Sequence, residues 1–469
     1  ALPGALPGAQ GRPDGAPFTR VSAQRPRASD AEVEQWAMAC ARATRGVIVA
    51  GPHPEAERLG PILRKFAARS GFVLLADPLS GARWGVEDDA PVPLAADLWL
   101  GAAAAGRAAD SAATLAAQLA PDLILRVGAA PTSARVLAWL ERHAAVRQVV
   151  VDAGARWKDS LASAHEIVRC CPIDLFERVV ARAHAGRADG ASPSLSWPER
   201  WLRADRAALG AVDAIEALPV ASEATPDAAS APSPAAAELR EGAIARAVVA
   251  ALPPAVPLFV SSSMPVRDVD AYGGARATPL VVHGNRGASG IAGIASTALG
   301  VAAGSGKPVV ALVGDLAFLH DLNGLLATRE PDARVIFVVI DNDGGGIFHM
   351  LPVAEHEPAF TPYFATPHGL DLSQAAALFS LRHRRIGDVA ELTRALGEEL
   401  ARMSEEGGEG PGTASVPRRA VILELKTDRA ANRAAHEWVR CEAEARAMEV
   451  AMEAFPPRPR SGTESHSDM

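Results

Sequence analysis

Cysteine is scarce in this 469-residue chain. The four are Cys40, Cys170, Cys171 and Cys441, with no CxxC pair and no framework of spaced positions. That pattern argues for free thiols in a reducing compartment, and it reads the adjacent Cys170 and Cys171 as core and strand-end residues. Aromatic residues make up 5% of the chain and the formal net charge is −8. Both argue against a nucleic-acid surface, which needs basic patches and stacking rings, and the charge argues against an anionic membrane surface. No run of about eighteen uncharged apolar residues is present, so a membrane span is not expected. The opening ALPGALPGAQGRPDGAP has no basic region leading into an apolar core, so it does not read as a secretory signal. It does not begin with Met; a start inside a longer polypeptide, processing and removal of an initiator Met all fit. There is no P-loop, no GxSxG and no Ser-His-Asp arrangement. GxGxxG is also missing, which argues against the usual dinucleotide site.

The chain is too long for one ordinary core, so two or three domains are expected. Residues 1–29 read as a flexible lead-in. Residues 30–218 alternate short apolar strands with helical patterns, the mark of a parallel sheet covered on both faces. Residues 219–236 are rich in Ala, Pro and Ser and read as a linker. Residues 237–430 form a second such unit. Residues 431–469 read as a polar-faced C-terminal helix and a disordered tail. The fold class is therefore α/β, with two doubly wound parallel-sheet domains.

The second unit is organised around Val309–Pro352. One apolar strand ends at Gly314-Asp315, and a second runs into Asp341-Asn342-Asp343-Gly344-Gly345-Gly346. Asp315 and Asn342 are 342 − 315 = 27 residues apart, about one strand–helix–strand unit. Parallel neighbours would bring both to the carboxyl edge of a sheet, where open α/β sheets bind ligands. A carboxylate, a side-chain amide oxygen and a backbone carbonyl suit Mg²⁺ completed by phosphate. Two more strand ends join that edge. SSSMPVRD supplies hydroxyls and Arg267, and GNRGASGIAG supplies Arg286 and a glycine-rich turn into a helix. Two arginines there suggest an anionic, polycarboxylate ligand. Their alternative reading is surface or interface ion pairing. His283, His320 and His349 lie near the edge without metal-ligand spacing; His349 is a candidate for cofactor or substrate contact, and His320 reads as a helix-start residue.

GDLAFLHDLNGL and DNDGGGIFHMLP together resemble the metal and diphosphate signature of thiamine diphosphate enzymes. The Leu316 variant, with SSSMPVRD, GNRGASGI and LKTDRAANRAAHEW in order, is similar to the 2-succinyl-5-enolpyruvyl-6-hydroxy-3-cyclohexene-1-carboxylate synthase family of menaquinone biosynthesis. VLLADPLSGAR and PDLILRVGAAPTSARVLAWL look like that family's central domain. The resemblance implies thiamine diphosphate held with Mg²⁺ or Mn²⁺ by Asp315, Asn342 and the Gly344 carbonyl. It implies that Ile291, Gly314, Leu316, Gly345 and Ile347 also contact the cofactor. Arg135, Ser263, Arg267, Arg286, Ile347, Phe348 and Leu351 are implied substrate contacts. The implied transferase reaction decarboxylates 2-oxoglutarate and adds the product to isochorismate, in the cytoplasm, in a homo-oligomer such as a homodimer.

Three departures stand out. Asp341 replaces the first Asn of the signature, and Ala134 stands where members often carry Lys. The family's pyrimidine-binding domain, with its activating glutamate, has no room in this chain, so the catalytic acid is unassigned; Gly15–Val21 looks like that domain's last piece. A pyrimidine-domain partner chain is therefore expected. The alternatives are a cofactor-binding remnant without turnover and another carboligase, related to acetolactate synthase.

Overall fold

The computed structural model describes residues 25–85, 89–101, 115–154, 157–182, 195–215, 239–286, 290–330, 332–405 and 420–454, with a few isolated positions before 25. The linker at 219–236, the tail beyond 454 and most of Gly15–Val21 lie outside the described residues.

Two sheets carry the fold, and every described strand pairing is parallel. The first contains β1 (Gly46–Ala50), β2 (Val73–Ala76), β3 (Leu123–Val127), β4 (Gln148–Val151) and β5 (Glu166–Val168), in the order β2-β1-β3-β4-β5. The second contains β6 (Leu258–Val260), β7 (Val282–Gly284), β8 (Val309–Gly314), β9 (Val335–Asp341), β10 (Arg382–Arg385) and β11 (Ala420–Lys426), in the order β10-β11-β9-β8-β6-β7. The expected two doubly wound units are what the chain builds. β9 explains why: all seven residues of VIFVVID are buried, as a central parallel strand with both faces covered requires. In the second sheet the strand order reverses between β6 and β8, which opens a crevice at their carboxyl ends.

Local signals set the boundaries. Ser29 and Glu32 form a reciprocal capping box that starts the helix Asp30–Arg42. Cys170 and Cys171 are buried, as expected of core residues. Between β8 and β9 the expected single helix is two pieces, an α-helix over Asp315–His320 and a 3-10 helix over Leu322–Arg329. His320 accordingly ends a helix rather than starting one. β10 has the sequence RHRR, which does not read as a strand. It survives at the sheet edge because its charges are paired: Arg382 with Glu399, His383 with Glu424, Arg384 with Glu398 and Arg385 with Asp371.

The C-terminal helix, Arg429–Ala454, is not merely polar-faced. Ala435, Val439, Ala443, Ala447 and Ala451 recur every four residues and are all buried. Four of them, Val439 onward, pack with Trp197, Trp201, Ala204 and Ala208 of the helix Trp197–Asp213. Small side chains at this spacing bring the two helices close. The Trp201 ring meets Trp99, Trp139 and Trp197 edge to face, at centroid distances of 5.7, 5.7 and 5.8 Å. The helix thus leaves the second sheet and closes the core of the first. Arg83 ties the units from the other side. Its Nη1 donates to Asp270 Oδ1 at 3.0 Å, and both side chains are almost fully buried.

Candidate metal and diphosphate site

The register of the second sheet brings the two motif strands together. Gly314 at the end of β8 pairs with Ile340 of β9, so Asp315 and Asp341–Asn342 emerge side by side. Asp315 is buried and begins the helix Asp315–His320. Its Oδ1 accepts from the Leu316 amide at 2.6 Å, and its Oδ2 accepts from the Gly344 amide at 2.9 Å. Burial pushes the Asp315 pKa up against these hydrogen bonds. A cation beside it would reverse that cost of desolvation.

Asn342 presents the complementary feature. Its Nδ2 donates to Glu241 Oε1 at 2.8 Å, while its Oδ1 is buried with no hydrogen-bond partner. A buried carbonyl oxygen without a donor is costly unless a ligand satisfies it. The Gly344 carbonyl accepts only from Gly346, at 3.0 Å, among the described backbone bonds, which leaves a lone pair for another partner. Gly344 has φ +142, and a Cβ there would collide with the Ala365 carbonyl. The glycine run therefore has a packing reason too: the segment Thr361–Ala365 lies against it, and the Gly345 amide donates to Ala365 at 2.7 Å. A carboxylate, an orphaned amide oxygen and a carbonyl at one edge fit a hard divalent cation.

His368, Lys426 and Arg429 reach this edge without any signal in the sequence that marks them as site residues. His368 Nε2 lies 3.3 Å from Asp315 Oδ2 and 3.8 Å from Asp341 Oδ1. Asp315, Asp341 and His368 each offer a ligand atom within 4.8 Å of the others. Asp341, a departure in the sequence, is held by the Lys426 ammonium, its direct register partner on β11. Arg429 donates to the Asn342 carbonyl at 2.6 Å and also reaches the Asp343 carbonyl. The histidines singled out from the sequence lie elsewhere in the arrangement: the His349 ring packs edge to face on Phe360 at 4.8 Å, and His320 is exposed.

The remaining candidates divide. Ser263 has φ +72 at the end of β6, a strained conformation for a non-glycine residue, and its carbonyl accepts from Arg267 at 2.6 Å. Burial, and then the neighbouring charge of Arg286, lower the Arg267 pKa. Phe348 meets Phe364 edge to face at 5.7 Å, and Leu351 is exposed. Ile291 packs partly buried against the core that contains Ile294 and Phe318. Residues 287–289 of the glycine-rich turn lie outside the described residues. Arg135 is drawn away: its Nη1 donates to Glu444 Oε1 on the C-terminal helix at 2.8 Å. The pair places Arg135 in an ion-pair role.

Both units of the chain resemble domains of known proteins. Residues 13–214 match the middle domain of thiamine pyrophosphate enzymes, and residues 273–409 match their C-terminal TPP binding domain. The chain thus carries the middle domain and the C-terminal cofactor-binding domain of thiamine pyrophosphate enzymes. It is 37% identical over 389 residues to a 2-succinyl-5-enolpyruvyl-6-hydroxy-3-cyclohexene-1-carboxylate synthase of Halobacterium salinarum, an alignment covering 82% of this chain and 60% of the relative. A synthase of the same name from Rubrobacter xylanophilus is 37% identical over 90% of this chain and 65% of its own length. The chain thus spans less than two thirds of these relatives. Among solved structures, it superposes on a putative thiamin diphosphate-dependent enzyme from Mycobacterium smegmatis with a TM-score of 0.56. That likeness covers 87% of this chain and 66% of the other, at 18% identity, and speaks for the fold alone. No helix among the described residues is long and apolar enough to cross a membrane.

Proposed function

We propose that this chain supplies the diphosphate and metal half of a 2-succinyl-5-enolpyruvyl-6-hydroxy-3-cyclohexene-1-carboxylate synthase. The observation that carries the metal reading is the buried, unpartnered Oδ1 of Asn342 beside the buried carboxylate of Asp315. Asp315, Asn342 and the Gly344 carbonyl would hold Mg²⁺ or Mn²⁺, with phosphate oxygens completing an octahedral shell. Gly314, Leu316, Gly345, Ile291 and Ile347 would contact the cofactor around it. Thiamine diphosphate, when bound, supplies a thiazolium that takes up the electron pair released as a 2-oxo acid loses CO₂.

The substrate reading rests on the two arginines that follow neighbouring strands β6 and β7 and on the similarity to the synthases. Arg267 and Arg286 would bind carboxylates of 2-oxoglutarate and isochorismate, with Ser263 holding the turn that aims Arg267. Ile347, Phe348 and Leu351 would form the apolar wall that keeps water from the reacting carbon. Arg135 would join them only by leaving Glu444. The chain would act in the cytoplasm as part of a homo-oligomer, or with a partner that brings the pyrimidine-binding domain and its activating acid.

The test is turnover. The chain, combined with a pyrimidine-binding domain of a relative and Mg²⁺–thiamine diphosphate, is expected to release CO₂ from 2-oxoglutarate and to consume isochorismate. Use of pyruvate in place of 2-oxoglutarate would contradict the substrate assignment. Cofactor binding without any turnover would favour a non-catalytic chain.

A further inference from the structure

Asn342 is held from three directions. Glu241 takes its Nδ2, and Arg429 takes its backbone carbonyl. Gly346 leaves room for the amide, since a Cβ there would stand 2.7 Å from Nδ2. The two ends of a carboxamide are nearly the same shape, and a half-turn exchanges donor for acceptor. A metal accepts only the oxygen end. The side chain therefore needs something that decides which end faces the edge.

Glu241 is placed to decide it. It begins the helix Glu241–Ala251 and is 1% exposed. Its Oε1 also accepts from Thr427 Oγ1 at 3.0 Å. An oxygen already accepting one hydrogen bond repels the oxygen of an amide and attracts its NH₂. The preference is the same whether the carboxyl is ionised or carries a proton on its other oxygen, because Oε1 stays an acceptor in both states. We propose that Glu241 is a positioning residue, which fixes the Asn342 amide with Oδ1 turned toward the metal. This rests on reading Asp315, Asn342 and Gly344 as the metal ligands. Glu241 lies 101 positions before Asn342 and outside every motif that carries the family resemblance.

The experiment measures Mn²⁺ binding to the chain with thiamine diphosphate present, by loss of the free-ion electron paramagnetic signal. Glu241→Leu is expected to weaken binding about 10- to 100-fold, as losses of metal-orienting partners do. Glu241→Gln retains an acceptor oxygen and is expected to stay within roughly threefold of the parent. Asn342→Asp turns a carboxylate toward Glu241 and is expected to bind poorly. Adding Glu241→Gln to it supplies a donor for that carboxylate and is expected to restore binding about tenfold. A purely structural glutamate would not show this exchange of donor and acceptor. The proposal is overturned if Glu241→Gln restores nothing in the Asn342→Asp background. Glu241→Gln is isosteric, so that arm stands even if Glu241→Leu unfolds. Asp315→Asn separates the two levels. If it leaves Mn²⁺ binding intact, the metal reading itself fails; if it abolishes binding while both Glu241 variants bind like the parent, only the positioning role fails.

Discussion

The Gly344 amide donates to the Asp315 carboxylate at 2.9 Å, and that bond joins the two motif strands across 29 positions. It requires Gly344 at φ +142, where a side chain would also strike the Ala365 carbonyl. Gly344→Ala is therefore expected to destabilise the chain by about 1–3 kcal/mol, the usual cost of forced backbone strain. Cofactor affinity should fall with it. Denaturant unfolding and isothermal titration on one preparation check both.

Arg83 joins the two sheet domains in an almost fully buried pair with Asp270. Replacing it with Met keeps the apolar stem but leaves Asp270 without its cation. The expected loss is about 3–5 kcal/mol, since a buried charge then lacks its partner. Differential scanning calorimetry should show the two domains unfolding with reduced coupling.

The C-terminal helix docks through small residues. Ala443 and Ala447 are 0% exposed against the helix that carries Trp197 and Trp201. Ala443→Leu is expected to cost about 1–3 kcal/mol by overpacking, with the helices pushed apart. Increased amide exchange in residues 435–451 is the diagnostic reading.

His436 predicts a pH dependence. Burial works against its proton, but the Asp268 carboxylate 3.1 Å away, with Glu241 and Asp97 behind it, holds the imidazole pKa above 6.5. Tyr272 closes the cluster from the other ring nitrogen, at 2.9 Å. The folded state therefore keeps a proton that the unfolded chain releases. Stability from this group is fully present below 6.5 and is lost as pH rises through the folded value. Glu241 adds to the same trend at lower pH: burial, then the charge of Asp268, raises it to about 7. The denaturant midpoint should fall as pH rises above 6.5, with a smaller fall in His436→Gln.

The two sheets and the candidate metal edge were legible because their signals are local. Apolar runs ending at Gly314-Asp315 and at Asp341-Asn342 mark both the strand ends and the candidate ligands. Glu241, His368 and Arg429 carry no such signal. They reach the site across 101, 53 and 87 positions, and only the folded register brings them there. β10 was illegible because RHRR has no apolar face; its stability comes from acids on other elements. The C-terminal helix hid its buried face because alanine reads as neutral in a hydrophobic pattern, yet four-residue spacing makes it an interface.

We propose that Asp315 and Asn342 hold a divalent cation on the diphosphate of the cofactor. The deciding measurement is titration of thiamine diphosphate into the chain with and without Mg²⁺, with Asp315→Asn alongside. The parent is expected to bind only when Mg²⁺ is present, and Asp315→Asn to bind at least about tenfold more weakly. Equal binding by both chains, or binding indifferent to the cation, would rule out a cation held there.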